Sequence, residues 1–233
     1  MKSILYQSPD GYCYNSDSIF LFNFATSFNL KGNILDIGCG VGVLTVLLAK
    51  RYKANFTVVE KQKSMYNYAL KNFAVNKIDV DAFNVDFLKF KSSKKFDFII
   101  SNPPFYKVDR HQSKNESINT ARYEFHLPLK DLIKKSSTLI TPRGYIILCY
   151  DAWQSDEVIK ELKDNKFQPE FMQFVHPKED KEANLVMIAA RKGSKARCKI
   201  LPPIITFDEN NNYTKKAKEA FILANTHSIK AVL

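Results

Sequence analysis

Asn33-Ile34-Leu35-Asp36-Ile37-Gly38-Cys39-Gly40-Val41-Gly42 is the stretch that decides the fold. Its first half is an apolar, β-branched run that reads as a strand. The glycines that follow let the backbone turn sharply and approach a ligand without side-chain collision, and the apolar run over 43–52 reads as a helix. Outward from this unit the alternation continues, with strands predicted over 56–60, 79–85, 96–101 and 145–150 and helices over 63–76, 127–140 and 155–165. Pro142-Arg143-Gly144 is expected to end the helix before residue 145. The runs 170–175 and 184–190 are close enough in sequence to pair antiparallel at the sheet edge. The pattern predicts an α/β protein, doubly wound, with a mostly parallel seven-stranded sheet, an antiparallel edge hairpin and ligands at the carboxyl ends of the strands.

The glycine spacing is G-x-G-x-G with Asp36 just before it, rather than the G-x-G-x-x-G of a dinucleotide pyrophosphate turn. That spacing favours the amino-acid end of S-adenosylmethionine, with Asp36, Gly38, Gly40 and Gly42 as the cofactor loop. Glu60 closes the next strand about 20 residues later, where a carboxylate can accept from ribose hydroxyls. Asp86, after the third strand, is placed to accept from an adenine amine.

Asn102-Pro103-Pro104-Phe105 follows the fourth strand. Two prolines stiffen the backbone and supply no N–H, so the Pro103 carbonyl can stay free as an acceptor beside the Asn102 side-chain carbonyl. An exocyclic amine on a nucleobase is a poor nucleophile, because its lone pair is delocalised into the ring. Two acceptors holding its hydrogens favour pyramidalisation and aim the lone pair, and Phe105 can stack on a base drawn out of its helix.

Composition bounds the rest. Thirty-five Lys and Arg against 24 Asp and Glu leave +11, an excess that favours a polyanionic partner. Cys13, Cys39, Cys149 and Cys198 show no paired spacing, and His111, His126, His176 and His227 no ligand spacing. Neither a metal site nor a disulfide framework is expected, and a cytoplasmic location fits. No apolar run reaches the ~18 residues of a membrane span. The polar segment 106–124 reads as a substrate lid or a disordered insert, carrying Lys107, Arg110, Lys114, Arg122 and Tyr123. A second basic cluster, with Lys195 and Arg197, offers a further nucleic-acid contact.

These residues together resemble the N6-adenine methyltransferases of the Asn-Pro-Pro-Phe/Tyr type, and within them the bacterial family that modifies adenine 37 of a valine tRNA. The likeness also rests on Tyr6-Gln7-Ser8-Pro9-Asp10-Gly11-Tyr12, on Ser16-Asp17-Ser18 and on Ala121-Arg122-Tyr123-Glu124. It implies a Rossmann-like class I methyltransferase fold, S-adenosylmethionine as cofactor, an RNA partner, with tRNA favoured, and no obligate protein partner. Cofactor contacts would fall at Asp36, Gly38, Gly40, Glu60, Asp86 and Asn102, and catalysis at Asn102 through Phe105; the basic segments themselves, rather than the likeness, offer Lys107, Arg110, Arg122, Tyr123, Lys195 and Arg197 as substrate contacts. Residues 1–30 would cap the cofactor, 31–192 form the core and 193–233 a basic extension with a helix, packed on the core.

The chain departs from the family at Phe105-Tyr106, where Tyr-Phe is common. Phenylalanine there also occurs in guanine-N2 methyltransferases of ribosomal RNA, so guanine stays open. These usually carry a second, degenerate domain for which this chain has no room, and that favours adenine. Two further readings are glutamine-N5 methylation of a release factor, against which the +11 charge counts, and a catalytically silent RNA-binding protein.

Overall fold

A computed structural model describes residues 2–9, 13–105 and 127–232. The segment 106–124, and with it Lys107, Arg110, Arg122 and Tyr123, lies outside the described residues.

The chain runs β1 (Ser3–Gln7), α1 (Ser16–Ala25), β2 (Asn33–Ile37), α2 (Val43–Ala49), β3 (Asn55–Glu60), α3 (Lys63–Asn76), β4 (Asp81–Asn84) and β5 (Phe96–Ser101). It continues through α4 (Leu129–Leu139), β6 (Ile140–Asp151), α5 (Ser155–Asp164), β7 (Phe167–His176), β8 (Leu185–Lys192), the short β9 (Lys199–Ile200) and β10 (Ile204–Ile205), α6 (Lys215–Ala224) and β11 (Thr226–Lys230). The main sheet has the order β10-β7-β8-β6-β5-β2-β3-β4, with β9 also on β7. Strands β4, β3, β2, β5 and β6 are mutually parallel, whereas β8 runs antiparallel to both β6 and β7. This is the class I methyltransferase arrangement.

The central strands are apolar on both sides because helices cover both faces. Ile34, Val58 and Ile100 join one core cluster with α1, α2 and α6, while Leu35, Ile37, Val59 and Ile99 join the other with Leu132 and Ile133 of α4. Each fully buried aliphatic side chain contributes about 1.5–3 kcal/mol relative to exposure. Helix α1 is buried nearly all round, from Ser18 to Ala25, and touches α6, α2 and β6. It carries its N-terminal residues to the rim of the sheet as a fixed support.

The antiparallel β7–β8 pair forms the expected side of the sheet, and the two-residue β9 and β10 extend it beyond β7. Two further details differ from the expectations. Strand β6 begins at Ile140, with Arg143 at φ 66° and an irregular register against β5, so Pro142-Arg143-Gly144 bends a strand already under way. A second sheet also exists, in which β1 pairs in parallel with β11 from Ser3↔Thr226 to Gln7↔Lys230.

The other edge of β1 is held by α3. Asn76 Oδ1 accepts from Ile4 N at 3.1 Å and its Nδ2 donates to Ile4 O at 2.6 Å. One helical turn earlier, Asn72 Oδ1 accepts from Tyr6 N at 2.7 Å and its Nδ2 donates to Tyr6 O at 3.0 Å. Two asparagines at i, i+4 share one helix face, so their amides act as a substitute strand.

Candidate active site

The parallel register brings the glycine loop after β2, Glu60 at the end of β3 and Asn102 after β5 to one edge of the sheet, because Ile37 pairs with Val59 on one side and Ser101 on the other. A cleft at that edge is lined by Asp36, Gly38, Cys39, Gly40, Glu60, Asp86, Asn102 and Pro104, with Tyr14 and Ser18 from the opening segment.

Gly38 and Gly40 sit at φ +67° and +57°, and a Cβ on either would meet nothing within 4 Å. Their backbone faces open space that a bound molecule can occupy. Gly42 behaves differently. At φ +80° its added Cβ would lie 2.7 Å from the Phe73 ring, and it does not line the cleft. Gly42, expected among the cofactor residues, is the packing point of α2 against α3.

Loop and carboxylates are braced internally. Gly38 N donates to Val59 O at 2.8 Å and Gly42 N to Cys39 O at 2.8 Å. Glu60 Oε2 accepts from Gly40 N at 2.8 Å and Oε1 from Gln62 N at 2.7 Å, so Glu60 holds the loop as well as facing the cleft. Asp36 accepts from Thr45 Oγ1 at 2.6 Å. Asp86 accepts from Leu88 N at 2.9 Å and pairs with Lys61 at 3.2 Å.

Burial pushes the Asp36 carboxyl up to about 7, with the nearby Glu60 charge adding to the rise, and burial also raises Glu60. The Cys39 thiol is pushed well above its ordinary value by burial and then by Asp36 and Glu60. It is therefore no nucleophile. Two desolvated carboxyls side by side favour a cation between them.

Asn102 supplies the opposite chemistry. Its Nδ2 donates to Ser18 Oγ at 3.3 Å, while its Oδ1 is buried and has no hydrogen-bond partner among the described residues. An orphaned acceptor costs about 1–3 kcal/mol unless something meets it. Ser101 Oγ ties the end of β5 to Ile37 O at 2.8 Å, fixing the distance between catalytic turn and glycine loop.

Of the other turn residues, Pro104 lines the cleft, but Pro103 is buried and adds nothing to its lining. Phe105 packs on Tyr150 with ring centroids 5.6 Å apart and faces a second, neighbouring depression. Its carbonyl accepts from Gln154 Nε2 at 3.0 Å.

Lys195 and Arg197 are placed away from this edge. Strand β8 enters at the carboxyl edge, Leu185 opposite Asp151, and leaves at the amino edge, Arg191 opposite Tyr145. The two exposed basic residues follow that exit, on the side of the sheet away from the cleft.

No motif singles out Ser18, Ser101, Tyr14 or Asn72 as an individual site residue. Tyr14 N donates to Gln7 Oε1 at 3.0 Å, and its hydroxyl meets Ser228 Oγ at 2.8 Å. Asn72 is fully buried and also donates to Val41 O at 2.8 Å, joining β1 to the glycine loop. Ser18 falls within Ser16-Asp17-Ser18 and Ser101 directly precedes Asn102, whereas Tyr14 and Asn72 belong to no motif.

The model of the methyltransferase small domain family matches residues 15–154. A protein of Glaesserella parasuis named tRNA1(Val) (adenine(37)-N6)-methyltransferase is 34% identical over 137 residues, 57% of this chain and 56% of the relative. The match thus spans just over half of that relative's length. A relative of the same name from Aliivibrio fischeri is 30% identical over 160 residues, 67% of this chain and 68% of its own. Among solved structures, a predicted O-methyltransferase from Agrobacterium tumefaciens superposes with a TM-score of 0.70 at 18% identity, covering 92% of this chain and 100% of that one.

Proposed function

This chain belongs to the methyltransferase small domain family, and from that premise we propose that it transfers a methyl group from S-adenosylmethionine to the N6 amine of adenine in tRNA, at position 37 as the names of its relatives state. The observation that carries the reading is Asn102 Oδ1, a buried acceptor without a partner among the described residues, in the turn between Ser101 and Pro104 and facing the same cleft as Asp36, Glu60 and Asp86.

The residues fit the cofactor. The open space over Gly38 and Gly40 admits a close-lying molecule, and the buried Asp36 and Glu60 suit a cationic one. Asp86 at the third strand end is placed for the adenine amine, a role it can add to its bonds with Leu88 and Lys61. When bound, the cofactor supplies an electrophilic methyl on a positively charged sulfur.

The chain's own work is positioning. Ser18 fixes the Asn102 amide by its nitrogen, which leaves Oδ1 to accept a hydrogen from the target amine and turn its lone pair into the cleft. Pro103 and Pro104 hold the turn stiff. Phe105, half-buried on Tyr150, offers a ring against which the base can stack. No general base is needed, since the amine loses its proton to water after transfer.

The test is methyl transfer from labelled S-adenosylmethionine to unmodified tRNA and, separately, to ribosomal RNA, with the labelled nucleoside identified by mass spectrometry. N6-methyladenosine in tRNA is the expected product. N2-methylguanosine in ribosomal RNA, or label only in protein glutamine, would overturn the substrate assigned here.

A further inference from the structure

We propose that Trp153 is a stacking platform for the nucleotide adjacent to the target base; the inference rests on the RNA reading above. It is the only tryptophan in the chain, and 71% of it is exposed. A ring that large left in water contributes nothing to the core, and exposed aromatics of this kind mark binding surfaces.

Its placement is fixed and specific. The register of β6 against β5 puts Leu148 beside Ser101, so Asp151 projects past the end of β5 on the side where the catalytic turn emerges. Asp151 Oδ1 then caps a single 3-10 turn, Ala152–Gln154, by accepting from Trp153 N at 3.0 Å. The following residue, Gln154, donates through Nε2 to Phe105 O. Trp153 and Phe105 therefore stand on hydrogen-bonded neighbours and line one depression. Backbone rigidity with a free ring lowers the ordering cost of stacking.

The depression says which part of a nucleic acid belongs there. Asp17, Asp151 and Glu182 line it, and these carboxylates repel phosphate. Aromatic rings among these acceptors suit a nucleobase with N–H donors. The need for such a surface follows from the chemistry: a base drawn into the cleft leaves its neighbour with one bare face, and an aromatic side chain restores the stack.

Because Trp153 is the sole tryptophan, fluorescence excited at the red edge of its absorption, where tyrosine does not absorb, reports on it alone. Titration of the whole protein with an anticodon stem-loop RNA should quench the emission saturably. The quenching should be lost when the nucleotide next to the target adenine is replaced by an abasic site. Trp153→Ala should raise KM for RNA about ten-fold, the scale of one stacked base, with kcat and cofactor affinity near wild type. Trp153→Phe should recover most of the loss. Methylation of the stem-loop with unchanged emission, or with an unchanged KM in Trp153→Ala, would overturn the platform and leave the methyltransferase reading standing. Failure of the wild type to bind or methylate any RNA would overturn both, and saturable quenching by a protein partner instead of RNA would also reject the platform.

Discussion

The wall of the cleft formed by β2 and β3 and the wall formed by the turn after β5 treat their polar groups in opposite ways. On the first, Asp36, Glu60 and Asp86 each accept from a group of the protein itself, and the loop amides are bonded to neighbouring strands. On the second, Asn102 Oδ1 is a buried acceptor with no hydrogen-bond partner among the described residues. The cofactor wall is bonded within the protein before anything binds. The substrate wall holds an unsatisfied acceptor that a donor-bearing base completes, so binding there relieves a cost already present in the folded state.

The sharpest way to break this contrast is Asn102→Ala. Turnover should fall by about 10³-fold while cofactor affinity, measured by calorimetry, stays within a few-fold of wild type. Equal losses in both would show that the two walls are not separate.

The cofactor wall should reveal itself through pH. The Asp36 carboxyl is raised from 3.8 to about 7 in the folded protein, so the fold binds a proton there that the unfolded chain releases. Its penalty on stability is absent below pH 3.8, grows as pH rises toward 7 and is fully present above it, up to about 4 kcal/mol by linkage. Asp36→Asn should therefore raise the melting temperature of the cofactor-free protein at pH 8 far more than at pH 5. In the wild type, cofactor affinity should increase from pH 6 to pH 8, with a proton released on binding. Equal melting shifts for Asp36→Asn at both pH values would remove Asp36 as the source.

The glycines separate binding from packing within one loop. Gly42→Ala should destabilise the fold by about 2–4 kcal/mol, since it combines positive φ with a collision on Phe73, and unfolding in urea would measure it. Gly40→Ala should cost about 1–2 kcal/mol of stability and weaken cofactor binding more than folding. Smallest is Ser228→Ala, which removes one exposed partner of Tyr14 and should loosen cofactor binding by less than about five-fold.

The parallel sheet was legible because each strand is a short apolar run bounded by polar or glycine-containing turns, and the glycine loop and Asn102 turn because their residue types answer to chemistry. What escaped notice had physical reasons. Gly42 shares the spacing of Gly38 and Gly40, but spacing does not say which glycine faces ligand and which faces a phenylalanine. Clustering of Lys195 and Arg197 records their neighbours in sequence, whereas the reversal of β8 decides which edge they reach. β1 and β11 are short, and β11 is largely exposed, so neither has the pattern of a sheet strand. Their pairing depends on Asn72 and Asn76, which read as ordinary polar helix residues.

The pairing of Ser3 with Thr226 has a consequence for the making of the protein. A nascent chain can assemble the central sheet as residues 33–192 emerge, because domains fold progressively during synthesis. The first strand, made earliest, must wait for nearly the last one. Until residues 226–230 have left the ribosome, β1 is held along one edge only, by Asn72 and Asn76, and Tyr14 lacks Ser228. The opening segment is thus closed on its second side only after residues 226–230 have been made.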